Sequence, residues 1–123
     1  MNNILVIDDS RATADSLVQI LKALGQPARA VYGSSAAISF LKEGAPDLIF
    51  LDINMPGVSG FEVLKFINRE PHLAHVPVYI VSSEDQPETH EQALRYGARG
   101  FLTKPVTVEL IDEILRSLIS DNL

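Results

Sequence analysis

At 123 residues the chain has the size of one compact domain and is long enough to bury a single core. Its composition, 46% hydrophobic and 21% charged, is that of an ordinary globular protein and excludes a disordered or fibrous chain. A net charge of -6 argues against binding to nucleic acid or anionic membrane, and the absence of cysteine removes disulfides, thiolate metal sites and thiol nucleophiles together.

The first apolar run, Ile4 to Ile7, ends in Asp8 and Asp9. Ser10 is suited to cap a helix in which Leu17, Ile20, Leu21 and Leu24 fall at i, i+3, i+4 and i+7, and Gly25 stands where a glycine would end it. The next segment, Ala28 to Tyr32, carries Arg29 among small and apolar residues, which predicts a short edge strand. Ser34 to Glu43 predicts a second helix with Ala37, Ile38 and Leu41 on one side and Gly44 after it. Leu48 to Leu51 is another unbroken apolar run, and it leads into Asp52. Ser59 to Glu70 predicts a third helix through Leu64 and Ile67, ahead of Pro71. Val78 to Val81 runs into Ser82 and Ser83; Pro87 then opens a polar helix to about Tyr96, with Gly97 as its stop. A weaker run, Gly100 to Thr103, precedes Lys104 and Pro105, and Thr107 can cap a last helix buried through Ile111, Ile114, Leu115 and Leu118.

Unbroken apolar runs of about four residues fit strands buried on both faces, as in a parallel sheet. Alternation with helices therefore predicts an α/β fold, (βα)5, doubly wound about a five-stranded parallel sheet with right-handed crossovers. Neither repeat nor linker interrupts the chain, so residues 1–123 read as one domain. No run approaches the roughly 20 apolar residues of a membrane helix, and Met1-Asn2-Asn3 lacks a basic signal-peptide start, so the cytoplasm is the expected location.

Doubly wound sheets bind ligands at the carboxyl ends of their strands. Taken singly, Asp8 and Asp9 read as helix-capping residues, Asp52 equally as a turn-former or a site residue, Ser82 as a turn or cap residue and Lys104 as a loop lysine. Together they put three acids, a hydroxyl and an ammonium on one edge. Three clustered carboxylates repel by roughly 4 kcal/mol per pair at 4 Å and an effective dielectric near 20, so a cation is expected among them. Oxygen ligands with room for water suit Mg²⁺. A metal, a lysine, a hydroxyl and an Asp nucleophile are the parts needed to move a phosphoryl group onto a carboxylate. The stretch Asp52-Ile-Asn-Met-Pro-Gly57 begins like a calcium loop, but Pro56 occupies a ligand position and Val63 stands where the closing Glu belongs. Walker A, Gly-x-Gly-x-x-Gly and Gly-x-Ser-x-Gly sequences are all absent. His72 and His75 have metal-like spacing but no third ligand in view, and read as surface loop histidines; His90, on the polar fourth helix, is expected to be exposed.

These residues resemble the receiver domains of bacterial response regulators, especially the single-domain chemotaxis type. The resemblance spans the whole chain and rests on Ile7-Asp8-Asp9-Ser10, Asp52-Ile-Asn54-Met55-Pro56-Gly57 with Gly60, Ser82, and Phe101-Leu-Thr-Lys104-Pro105. It implies the flavodoxin-like strand order 2-1-3-4-5. It also implies Asp52 as phospho-acceptor and a Mg²⁺ site formed by Asp8, Asp9, Asp52 and the Asn54 carbonyl. Ser82 and Lys104 would hold phosphoryl oxygens, a cis bond would precede Pro105, and Ser82 and Phe101 would form a switch. The implied partners are a sensor histidine kinase or phosphotransfer protein and a downstream target read through the fourth helix, fifth strand and fifth helix. Such a domain is a signalling module that catalyses only its own aspartyl phosphorylation and dephosphorylation, as a monomer or a phosphorylation-dependent dimer. Ser82 stands where Thr is commoner and Phe101 where Tyr is commoner; Ser83 replaces a usual Ala, and Asn54 and Glu84 flank the phosphoryl site where attack by water is tuned. The competing reading is a pseudo-receiver, a constitutive interaction module that keeps the fold without the chemistry.

Overall fold

The computed structural model describes residues 3–121, which alternate strand and helix throughout. In chain order these are β1 (Ile4–Ile7), α1 (Arg11–Ala23), β2 (Ala28–Val31), α2 (Ser34–Lys42), β3 (Leu48–Leu51), α3 (Gly60–Arg69), β4 (Val78–Ser82), α4 (Pro87–Arg95), β5 (Gly100–Thr103) and α5 (Val108–Asp121). All strand pairs are parallel and the sheet order is β2-β1-β3-β4-β5, the order implied by the resemblance to receiver domains. Among the described residues no helix is long and apolar enough to cross a membrane.

Local chemistry sets the element boundaries. Ser10 Oγ accepts the N–H of Thr13 at the start of α1, and Thr107 Oγ1 accepts the N–H of Leu110 at the start of α5. After α1 and α4 the chain turns through Gly25 and Gly97, at φ of 82° and 103°, a backbone region that L side chains rarely adopt.

Side chains alternate across the sheet and divide the core in two. Leu5, Ile7, Ile49, Leu51, Val78 and Ile80 face α2, α3 and α4. Ile4, Val6, Leu48, Phe50, Val81 and Leu102 face α1 and α5. β1 and β3 are buried on both faces, which explains their unbroken apolar sequence. β5 is different: it forms the second edge, pairs with β4 alone, and three of its four residues are only half-buried. Its weaker apolar character reflects that position.

Candidate functional site

The ladder delivers the polar residues together. Ile7 lies opposite Leu51, so the next residues, Asp8 and Asp52, leave neighbouring strands side by side. The N–H of Asp52 donates to the Ile7 carbonyl at 2.9 Å, and the N–H of Asp8 to the Val31 carbonyl at 3.2 Å, holding both past the formal strand ends. Strand alternation continues through them. Asp8 follows Ile4 and Val6, and Asp52 follows Leu48 and Phe50, so both acids lie on the α1/α5 side. Lys104, two residues beyond Leu102, shares that parity and reaches back to them, with Nζ 3.1 Å from Asp8 Oδ2 and 3.8 Å from Asp52 Oδ2.

Asp8 and Asp52 are buried, whereas Asp9 is exposed. One carboxylate oxygen from each lies within 4.8 Å of the others. This donor set, three anionic oxygens with one side open, suits a hard divalent cation that keeps part of its water shell. The carboxylates are also anchored by the backbone: Ser10 N–H donates to Asp8 Oδ1 at 2.9 Å and Asn54 N–H to Asp52 Oδ1 at 3.0 Å. Burial pushes the Asp52 carboxyl up to about 6; the Asp8 carboxylate adds to the rise, while the Asn54 N–H and the Lys104 ammonium oppose it.

Ser82, fully buried, ends β4 with the parity of Val78 and Ile80 and so faces the α3/α4 side. Its Oγ accepts the Asn54 side-chain amide at 3.0 Å and the Glu84 N–H at 3.1 Å. Two acceptor positions are filled, which leaves the hydroxyl proton free to donate. The Asn54 amide thus has a role that a reading of its carbonyl alone missed, and residues 28 apart in sequence carry no local signal for it. The Lys104–Pro105 peptide bond is cis.

One histidine differs from expectation, and a second keeps its expected surface position while gaining a partner. His90 is not simply exposed: its ring stacks on Phe101, with centroids 3.8 Å apart and planes 22° apart. Its Nε2 lies 3.0 Å from Asp85 Oδ1. His72 remains on the surface, but its Nε2 donates to the Leu41 carbonyl at 2.8 Å and ties the segment after α3 to the end of α2.

The family model for the response regulator receiver domain matches residues 4–116. Protein PilH of Pseudomonas aeruginosa is 28% identical over 120 residues, covering 98% of this chain and 99% of that protein. Protein RcaC of Microchaete diplosiphon is 33% identical over 118 residues, but the chain spans only 18% of that protein's length. Among solved structures, the chemotaxis response regulator CheY4 of Vibrio cholerae superposes with a TM-score of 0.87 at 26% identity, over 95% of this chain and 98% of that one. With the acidic cleft, the lysine and the strand order all in place, the chain belongs to the response regulator receiver family of two-component signalling.

Proposed function

We propose that this receiver accepts a phosphoryl group on Asp52 from the phosphohistidine of a sensor kinase or phosphotransfer protein, and that the acyl phosphate changes which protein binds its α4, β5 and α5 face. The observation that carries the reading is the placement of Asp52: buried at the end of β3, beside Asp8, within reach of Lys104 and next to the open acidic cluster. In the transfer, the P–N bond of the donor breaks and a P–O bond to an Asp52 oxygen forms. The departing imidazole takes the proton it needs from solvent.

Asp8, Asp9, Asp52 and the Asn54 carbonyl would hold Mg²⁺, which supplies charge neutralisation for the acids and the incoming phosphoryl oxygens. The remaining work falls to side chains of this chain. Lys104 offers a fixed positive charge to one phosphoryl oxygen. The Ser82 hydroxyl, its acceptor positions taken by Asn54 and Glu84, donates to another. Drawing Ser82 toward the phosphoryl group moves the end of β4 and disturbs the neighbouring Phe101, which lies on the same side of the sheet.

Intact mass after incubation with acetyl phosphate and Mg²⁺ tests the chemistry. The expected result is a gain of one phosphoryl group, absent from D52N and from a chelated sample. An unchanged mass in every sample, with no Mg²⁺ binding, would make the chain a constitutive interaction module instead.

A further inference from the structure

The loop after β4, helix α4 and strand β5 meet in a small polar and aromatic assembly that lies outside the acidic cluster and includes Phe101. Asp85 Oδ1 lies 3.0 Å from His90 Nε2 and accepts the Thr103 hydroxyl at 3.3 Å. A carboxylate only accepts, so the imidazole donates from Nε2 and its ring plane is set. That plane lies against the Phe101 ring. Phe101 and Thr103 are two apart on β5 and share a face, so one carboxylate orients the residue stacked on Phe101 while bonding its strand neighbour.

We infer that Asp85, His90 and Thr103 form a clasp that holds Phe101 in its resting position, with His90 as the positioning residue. The inference rests on the phospho-acceptor reading above, because it is phosphorylation that would open the clasp. The connection is short. Ser82 Oγ accepts the N–H of Glu84, the residue before Asp85, and the Glu84 side chain accepts the Thr89 hydroxyl on α4 at 3.2 Å. Moving Ser82 toward Asp52 therefore pulls on the loop that carries Asp85 and on the turn of α4 that carries His90. Both supports of the stack loosen in one displacement, a contiguous path through hydrogen bonds and a packed ring.

Because the stack is made in the resting state and lost in the switched state, it opposes switching. By linkage, removing it strengthens binding of a phosphoryl mimic. The test is the affinity for beryllofluoride with Mg²⁺ at fixed pH, together with the Phe101 χ1 populations measured by NMR in the protein without mimic. H90A is expected to bind beryllofluoride about threefold to tenfold more tightly, the range a single aromatic stack carries, and to spread Phe101 over more than one rotamer. H90F, which keeps a flat ring against Phe101, is expected to restore most of the wild-type behaviour. D85A is expected to shift affinity in the same direction, and the H90A/D85A pair to fall short of additivity. Equal affinity in H90A and wild type, or an unmoved Phe101 in H90A, would overturn the clasp. If wild-type protein bound no beryllofluoride, the phospho-acceptor reading would fall, while the rotamer populations would still decide whether His90 holds Phe101.

Discussion

Asp52 is kept in place against its own electrostatic preference. Its carboxyl is raised to about 6, chiefly by burial, whereas an unfolded Asp titrates near 3.9. The folded chain without metal therefore binds more protons than the unfolded chain between about pH 4 and 6. Over that window stability contributed by this group falls as pH rises, and above it the charged form carries the full penalty. Metal-free wild type should thus melt higher at pH 5 than at pH 7 when each is measured against D52N, which lacks the titration. At pH 7 without divalent ions, D52N should melt above wild type by about 3–8 °C, equivalent to roughly 1 kcal/mol or somewhat more. Calorimetry on the two proteins settles it, and a D52N protein that melts below wild type at pH 7 would contradict this account.

Helix α3 begins with a residue chosen by contact. A Cβ added to Gly60 would run into the carbonyl oxygen of Asp52 and the Cα of Ile53, both backbone atoms that cannot swing aside. The Gly60 N–H also donates to the Ile53 carbonyl at 3.1 Å, so the start of α3 is sewn to the turn that presents Asp52. G60A should cost about 1–3 kcal/mol, the usual range for overpacking, and lower the yield of phosphorylated protein by displacing the acceptor. A urea midpoint and acetyl phosphate labelling matching those of wild type would show that the turn yields freely. The elements themselves were legible along the chain: Ser10 and Thr107 cap their helices, and Gly25 and Gly97 stand at the stops. Less legible was β5, whose half-buried residues belong to an edge that pairs on one side only. The environment of His90 was also hidden, because its partners Asp85 and Phe101 meet it only after β5 has packed beside α4.

At the scale of the whole molecule, a layered scaffold carries three clustered acids at the carboxyl edge of its sheet. A divalent cation that binds the folded cluster and not the unfolded chain should stabilise the protein by mass action, about 2.7 kcal/mol at a hundredfold excess over its dissociation constant. Melting curves with and without millimolar Mg²⁺ check this. An upward shift in wild type that shrinks in D52N is expected, and coincident wild-type curves would count against a metal in the cleft. The acids of that cleft stand out along the chain because each follows an apolar run, and apolar runs, caps and helix stops are read from neighbours in sequence. Those local signals were enough to state the alternation of strand and helix and to nominate Asp8, Asp9, Asp52, Ser82 and Lys104. They could not say which face each residue takes, since a strand buried on both sides has no polar alternation to reveal its parity. Strand register and packing supplied that: they turn Asp8, Asp52 and Lys104 to the α1/α5 side and Ser82 to the other, and they join Lys104 to Asp8 across 96 positions of chain.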